Sequence, residues 1–206
     1  MALHNYITKR SYELIVPWTS QVTEATLRPF YRDADENLLQ PKIPAALYTA
    51  LDNLLASKPQ LWDINDTYSE DDVVLFQDYA YTATAATSAG ESPATTPAKW
   101  TRLYMWTAWK YVEKYIVLAS FEPFATFHGI NMGATGMVKV NDPILVSVSD
   151  QERARVVAWA RTRADVAYNN FFKWLDDLQY VLDGTTYSFN STGLSSHTDT
   201  FNIGTY

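Results

Sequence analysis

WDINDTYSEDDVVLFQDYAYTATAATSAGESPATTPAKW, residues 62–100, is the stretch whose reading decides the fold. Its apolar residues alternate with a period of two, whereas the segments on either side follow a helical period. The strands are expected at Asp72–Gln77 and Tyr79–Thr84, joined by a tight turn at Gln77-Asp78. Ser88–Ala98, rich in Ser, Thr, Pro and Gly, is expected as loop, and Trp100 closes the unit. A period that switches from helix to strand and back predicts a small β module inserted into a helical host. The ends of the module, near Leu61 and Thr101, fall at helix junctions, so replacing 62–100 by a short linker is expected to spare the host. Neither half carries a set of catalytic groups, which points to a binding or assembly protein rather than an enzyme.

Working outward, a helix is expected at about 45–57, with Leu47, Leu51, Leu54 and Leu55 on one face. Gln40-Pro41-Lys42-Ile43-Pro44 ahead of it is a rigid connector, preceded by a helix capped by Ser20 and carrying Val22, Leu27, Phe30 and Tyr31, with Pro29 inside the pattern. Residues 1–18 mix polar groups with the short run Leu14-Ile15-Val16 before Pro17 and predict an extended arm or edge strand. On the far side, a helix over about 102–120 is apolar around most of its circumference, as a central core helix must be. Residues 121–147 are expected irregular or β, with a strand at Gly136–Val140. Ser149 and Glu152 have capping-box spacing for the longest helix, which is expected to reach Leu182 and stop at Asp183-Gly184. Its stripe runs Val156, Ala160, Ala164, Ala167, Phe171, Trp174, Leu178, Val181. The remainder, 185–206, has isolated aromatics in a Ser/Thr/Asn background and predicts an extended C-terminal arm that orders on a partner.

The expected architecture is therefore mainly α: a discontinuous helical domain at 1–61 and 101–184, the β module at 62–100, and the arm at 185–206. With a net charge of −7, the chain lacks the basic footprint of a general nucleic-acid binder. Seven Trp and fourteen Tyr make the chain unusually rich in aromatics, which stabilise cores and are also favoured in extensive protein–protein contacts. There is no cysteine, so thiolate metal sites and disulfides are excluded. His4, His128 and His197 stand without a second ligand at metal spacing. Asp71-Asp72 and Asp176-Asp177 read as solvated acids, and Arg153, Arg155, Arg161 and Arg163 as a solvated face or as inter-subunit ion pairs. No cofactor or metal is expected, nor a membrane span.

Two resemblances sharpen this. Trp62, Tyr68, Asp72 with Val73-Val74, Tyr81-Thr82-Ala83, Gly90, Pro93 and Trp100 resemble the small chitin- and cellulose-binding modules appended to bacterial chitinases. The chain departs from that pattern at Asp71, where the modules carry Gly, and at Thr84–Thr87, where they carry exposed rings. If a sugar bound, Tyr68, Tyr81 and Trp100 would be its contacts; the small residues at 84–87 imply weak binding or none.

The host resembles the head-to-tail connector (adaptor) proteins of tailed phages, especially phages infecting Bacteroidetes. The residues that carry this are Val22–Leu39 followed by Pro44-Ala45-Ala46-Leu47-Tyr48, then Met105–Tyr111 and Thr126–Ile130 with Gly136–Val140, and finally Phe171–Leu178. The family's members are helical bundles that form rings, typically dodecamers, on the portal and continue the DNA channel toward the tail. The resemblance implies a non-enzymatic virion protein of the phage neck, assembled in the host cytoplasm. Its partners would be copies of itself, the portal, and tail or other neck proteins, with DNA passing through the lumen unbound. Trp106, Trp109, Ala160, Ala164, Tyr187, Phe189, Phe201, Ile203 and Tyr206 are the candidate oligomer and portal contacts. The alternative is a carbohydrate-binding protein that uses 62–100 for attachment to a host surface or polysaccharide.

Overall fold

A computed structural model describes residues 2–16, 23–127, 132–133, 136–137 and 150–187, of which 125–127, 132–133, 136–137 and 150–153 are described by their backbone alone. Among these the chain is mainly helical, with a small four-stranded sheet and two short two-stranded pairs. The helices are α1 (Lys9–Ile15), α2 (Glu24–Asp33), α3 (Ala45–Ala56), α4 (Tyr104–Phe127) and α5 (Asp150–Asp177).

The N-terminal segment corrects the expected extended arm. Leu3–Tyr6 forms a 3₁₀ turn, and Thr8 accepts a hydrogen bond from the Ser11 amide at 3.2 Å to start α1. Leu3, Ile7, Tyr12 and Val16 are all buried, so these residues stabilise the core. Ser20 lies outside the described residues; α2 begins after Thr23 and continues through Pro29 into a π-helical turn, Ala34–Leu39. In α3 the expected leucine face is buried at Leu47, Leu51 and Leu55, together with Tyr48.

α4 is the central element, packed against α1, α2, α3 and α5. Trp106, Trp109, Val112, Tyr115, Ile116, Val117 and Leu118 are buried around its circumference. It runs past the expected end at Ser120 despite Pro123, because Phe121 and Phe124 remain on core-facing positions. Burying two phenylalanines contributes about 3–6 kcal/mol, enough to offset the roughly 3 kcal/mol cost of a proline in a helix. α5 lies along α4 with Ala160, Ala164 and Ala167 buried, followed by Tyr168, Phe171, Phe172 and Leu175. Arg161 and Glu122 pair across the two helices. Ser149 and the strand residues 138–140 lie outside the described residues; a short antiparallel pair, β5 (Met132–Gly133) with β6 (Gly136–Met137), stands in the connection.

α5 ends at Asp177, short of the expected Leu182. The Gln179 amide donates to the Asp176 carbonyl and the Tyr180 amide to the Leu175 carbonyl, a Schellman pattern, with Gln179 at φ 52°. Asp183-Gly184, expected as the helix stop, instead turns a hairpin of β7 (Val181–Leu182) and β8 (Thr185–Thr186). The fold continues as far as Tyr187, which is buried in the main core, so 185–187 belong to the folded body.

The sheet has the order β1-β2-β3-β4: Gln60–Leu61, Val73–Phe76, Tyr79–Ala83 and Trp100–Leu103. β1 pairs parallel with β2, and the other pairs are antiparallel. Gln77 and Asp78 both have positive φ, as a two-residue hairpin turn requires. The sheet thus reaches two residues before and three beyond 62–100. One face (Val73, Leu75, Ala80, Leu103) packs on the main core, and β4 leads without a break into α4. Removing 62–100 therefore uncovers part of that core, which the expectation of a freely removable segment did not include.

Candidate interaction site

The other face of the sheet holds the aromatic residues singled out from the sequence. Val74, Ala83, Tyr68 and Trp100 form a second, smaller core, with Trp62 and Tyr81 packed on it. Tyr68 meets Trp100 edge-on at 5.6 Å, and its hydroxyl accepts from the Asp63 amide at 2.7 Å. Tyr68 and Trp100 are 3% and 7% exposed, so neither offers a ring face for stacking. Trp62, Phe76 and Tyr81 continue outward as half-buried rings in edge contact, at 5.4 and 6.4 Å. The 88–99 loop is pinned by Glu91, which accepts from the Ser88 amide at 2.6 Å and from Lys99 at 2.8 Å. The lysine bond holds the Glu91 carboxyl below its ordinary value.

Beside these rings lies a group that the sequence reading missed. The Arg102 guanidinium carbon sits 3.8 Å from the centre of the Tyr79 ring and 5.2 Å from that of Tyr104. Both tyrosines are substantially exposed, at 40% and 41%. The strand register brings them together, with Tyr81 opposite Arg102 and Tyr79 one place beyond it on the same face. The detectable signal was the alternation Tyr79/Tyr81 against an Arg two residues after Trp100.

Asp183, at the tip of the β7–β8 hairpin, accepts from the amides of Tyr104 and Met105 at 2.8 and 2.9 Å. It caps α4 across 79 residues of sequence. One carboxylate thus ties the end of the described chain to the junction of sheet and central helix.

The expected oligomer contacts that fall among the described residues do not lie on a surface. Trp106, Trp109, Ala160, Ala164 and Tyr187 are all buried within the chain's own main core. Trp109 meets Tyr6 edge-on at 6.5 Å, and Lys110 covers Trp106. Ala160 and Ala164 allow the close approach of α5 to α4. Phe189, Phe201, Ile203 and Tyr206 lie outside the described residues, as do His128 and His197. Of the arginines on α5, Arg161 is committed to Glu122, while Arg163 lies over the half-buried Trp159.

His4 is held by a buried network. The fully buried Asp35 accepts from the His4 amide at 2.8 Å and lies 3.0 Å from His4 Nδ1. The Tyr48 hydroxyl donates to Asp35 at 3.0 Å and accepts from the Leu3 amide at 3.1 Å. Burial, with the Asp35 charge adding to it, pushes the Tyr48 phenol far above its ordinary value. The network clasps the N-terminal turn to α3 and the π-turn. His4 also borders an open cleft of about 620 Å³ along α2, lined by Arg28, Arg32, Asp33 and Glu36. Two of those cations are engaged in ion pairs, Arg28 with Glu24 and Arg32 with Glu36. Among the described residues, no group of three or more His, Cys, Asp or Glu could hold a metal ion, and no helix is long and apolar enough to cross a membrane.

Set against protein families, curated proteins and solved structures, the chain matches none.

Proposed function

We propose that this chain is a head-to-tail connector subunit of a tailed-phage neck. In this reading it is a helical bundle that forms a ring between portal and tail, continues the DNA channel, and carries the 62–100 module as an insertion facing outward. The observation that carries the reading is where the connector-like segments fall. Leu27 and Leu39, Leu47 and Tyr48, Met105, Trp106 and Trp109, and Phe171, Phe172 and Leu175 come from four separate stretches yet line one core. Four patterns resembling one family in the same order are what a shared bundle would place together. A net charge of −7 gives the chain no basic footprint with which to hold passing DNA. The C-terminal segment beyond Tyr187 is the arm that reaches a neighbour or the portal. Burial of Tyr68 and Trp100 counts against the carbohydrate-binding alternative.

Mixing the full chain with the portal protein of its phage and sedimenting the mixture tests this. Co-sedimentation, with an added ring visible on the portal by negative-stain microscopy, is expected. A monomer that ignores the portal but is retained on chitin or cellulose would replace this reading with the alternative.

A further inference from the structure

The charge of this molecule is unevenly distributed. Residues 62–100 hold seven carboxylates and one lysine, a net −6 of the chain's −7, and that lysine is already paired with Glu91. Just past this segment, on the sheet's terminal strand β4, stands Arg102. Among the described residues, no carboxylate or carbonyl accepts from its guanidinium. Its Nε is buried and unpartnered, and among the described residues its guanidinium lies against the rings of Tyr79 and Tyr104. An arginine in so acidic a neighbourhood is ordinarily neutralised. This one lies instead against the rings of two exposed tyrosines, and a guanidinium so held suits a carboxylate brought by a partner.

The complementary groups lie diagonally across the same sheet. Glu70 and Asp71 are exposed and, among the described residues, meet no cation. The Asp71 amide donates to the Ala83 carbonyl at 2.9 Å, which puts this loop at the Ala83 end of β3, whereas Arg102 is opposite Tyr81. Two strand spacings across and about three residues along, the separation is roughly 14 Å. The two charges cannot neutralise each other within one chain, but they can between two. A donor at one end of a sheet and its acceptor at the other make a heterologous, head-to-tail contact, the kind that closes into rings.

We propose that the Tyr79–Arg102–Tyr104 stack of one copy binds the Glu70–Asp71 loop of the next. The inference deepens the ring reading and rests on it. Exposed Tyr and Arg in a stacked pair are also the residue types that dominate binding energy at interfaces.

The test is charge exchange on the full chain, read by sedimentation velocity alone and on the portal, with circular dichroism confirming the fold. Arg102→Glu, and separately Glu70→Arg with Asp71→Asn, should each weaken copy-to-copy association by about tenfold or more. Asn is used at 71 because φ there is 70°. Mixing the two variants, or combining all three substitutions in one chain, should restore association. Wild-type assembly with unaltered assembly of both variants overturns this inference and leaves the connector reading standing. Loss without restoration on mixing rejects the pairing. A wild-type chain that associates neither alone nor on the portal overturns both. Protection of the Arg102 stack by a chitin oligomer instead of a second copy would also overturn it.

Discussion

Asp183 offers the sharpest energetic test, because it connects distant parts of the chain through two hydrogen bonds. Its carboxylate caps the first amides of α4, the helix around which the core is built. A side-chain cap contributes about 1 kcal/mol, and a negative charge at a helix N-terminus adds roughly 0.3–1 kcal/mol. Asp183 is solvent-exposed, which favours the lower half of that range, so about 1.5 kcal/mol is expected for the cap. The residue also sits at φ 49°, where a Cβ is strained but glycine is not. Asp183→Ala keeps a Cβ at that φ and so reports the cap, about 1.5 kcal/mol, while Asp183→Gly loses the cap but relieves the strain and should cost roughly 1 kcal/mol less. For a chain of this length, the Ala variant should melt roughly 3–6 °C lower. Urea and thermal unfolding followed at 222 nm measure both. A cost below about 0.5 kcal/mol for Asp183→Ala, or Ala no worse than Gly, would refute the reasoning.

Two tyrosines should respond oppositely to losing their hydroxyl. Tyr48→Phe leaves the buried Asp35 and the Leu3 amide short of a partner and should cost about 1–3 kcal/mol. Tyr115→Phe removes a buried hydroxyl that finds no acceptor among the described residues and should be neutral or slightly stabilising in the same urea titration. Burial raises the phenols of Tyr12, Tyr31, Tyr48 and Tyr115 above their ordinary value of 10.0. The folded state therefore holds protons that the unfolded state releases, so stability should be complete below about pH 10 and fall as pH rises beyond it. Tyrosinate absorbance tracking the loss of helical signal would agree; these four ionising while the fold persisted would not. Chitin and cellulose oligomers should give no saturable change in Trp fluorescence at micromolar concentration. Micromolar binding abolished by Tyr81→Ala, with the fold intact, would reverse that expectation.

What the sequence discloses divides along physical lines. The helix α3 and the β2–β3 hairpin were legible because periodicity and turn chemistry are local: leucines spaced three and four apart, and Gln77-Asp78 between alternating runs. The N-terminal segment was not. Its order comes from Asp35 reaching His4 and Tyr48 reaching Leu3, partners 31 and 45 residues away. The end of α5 was misplaced because Gln179, not a glycine, takes the left-handed position. That freed Asp183-Gly184 to turn a hairpin and cap another helix. Aromatic abundance suggested contact residues, yet Trp106, Trp109 and Tyr187 are consumed by the core. Arg102 escaped notice because what sets it apart is its place against Tyr79 and Tyr104, which only the strand register discloses.

The central claim is a place in the virion, and cryo-electron microscopy of the phage neck tests it most directly. The account predicts a ring of this chain seated between portal and tail, with α4 and α5 traceable in each subunit and the 62–100 segment on the outside. A neck reconstruction in which the ring beneath the portal is built from a different protein would contradict it.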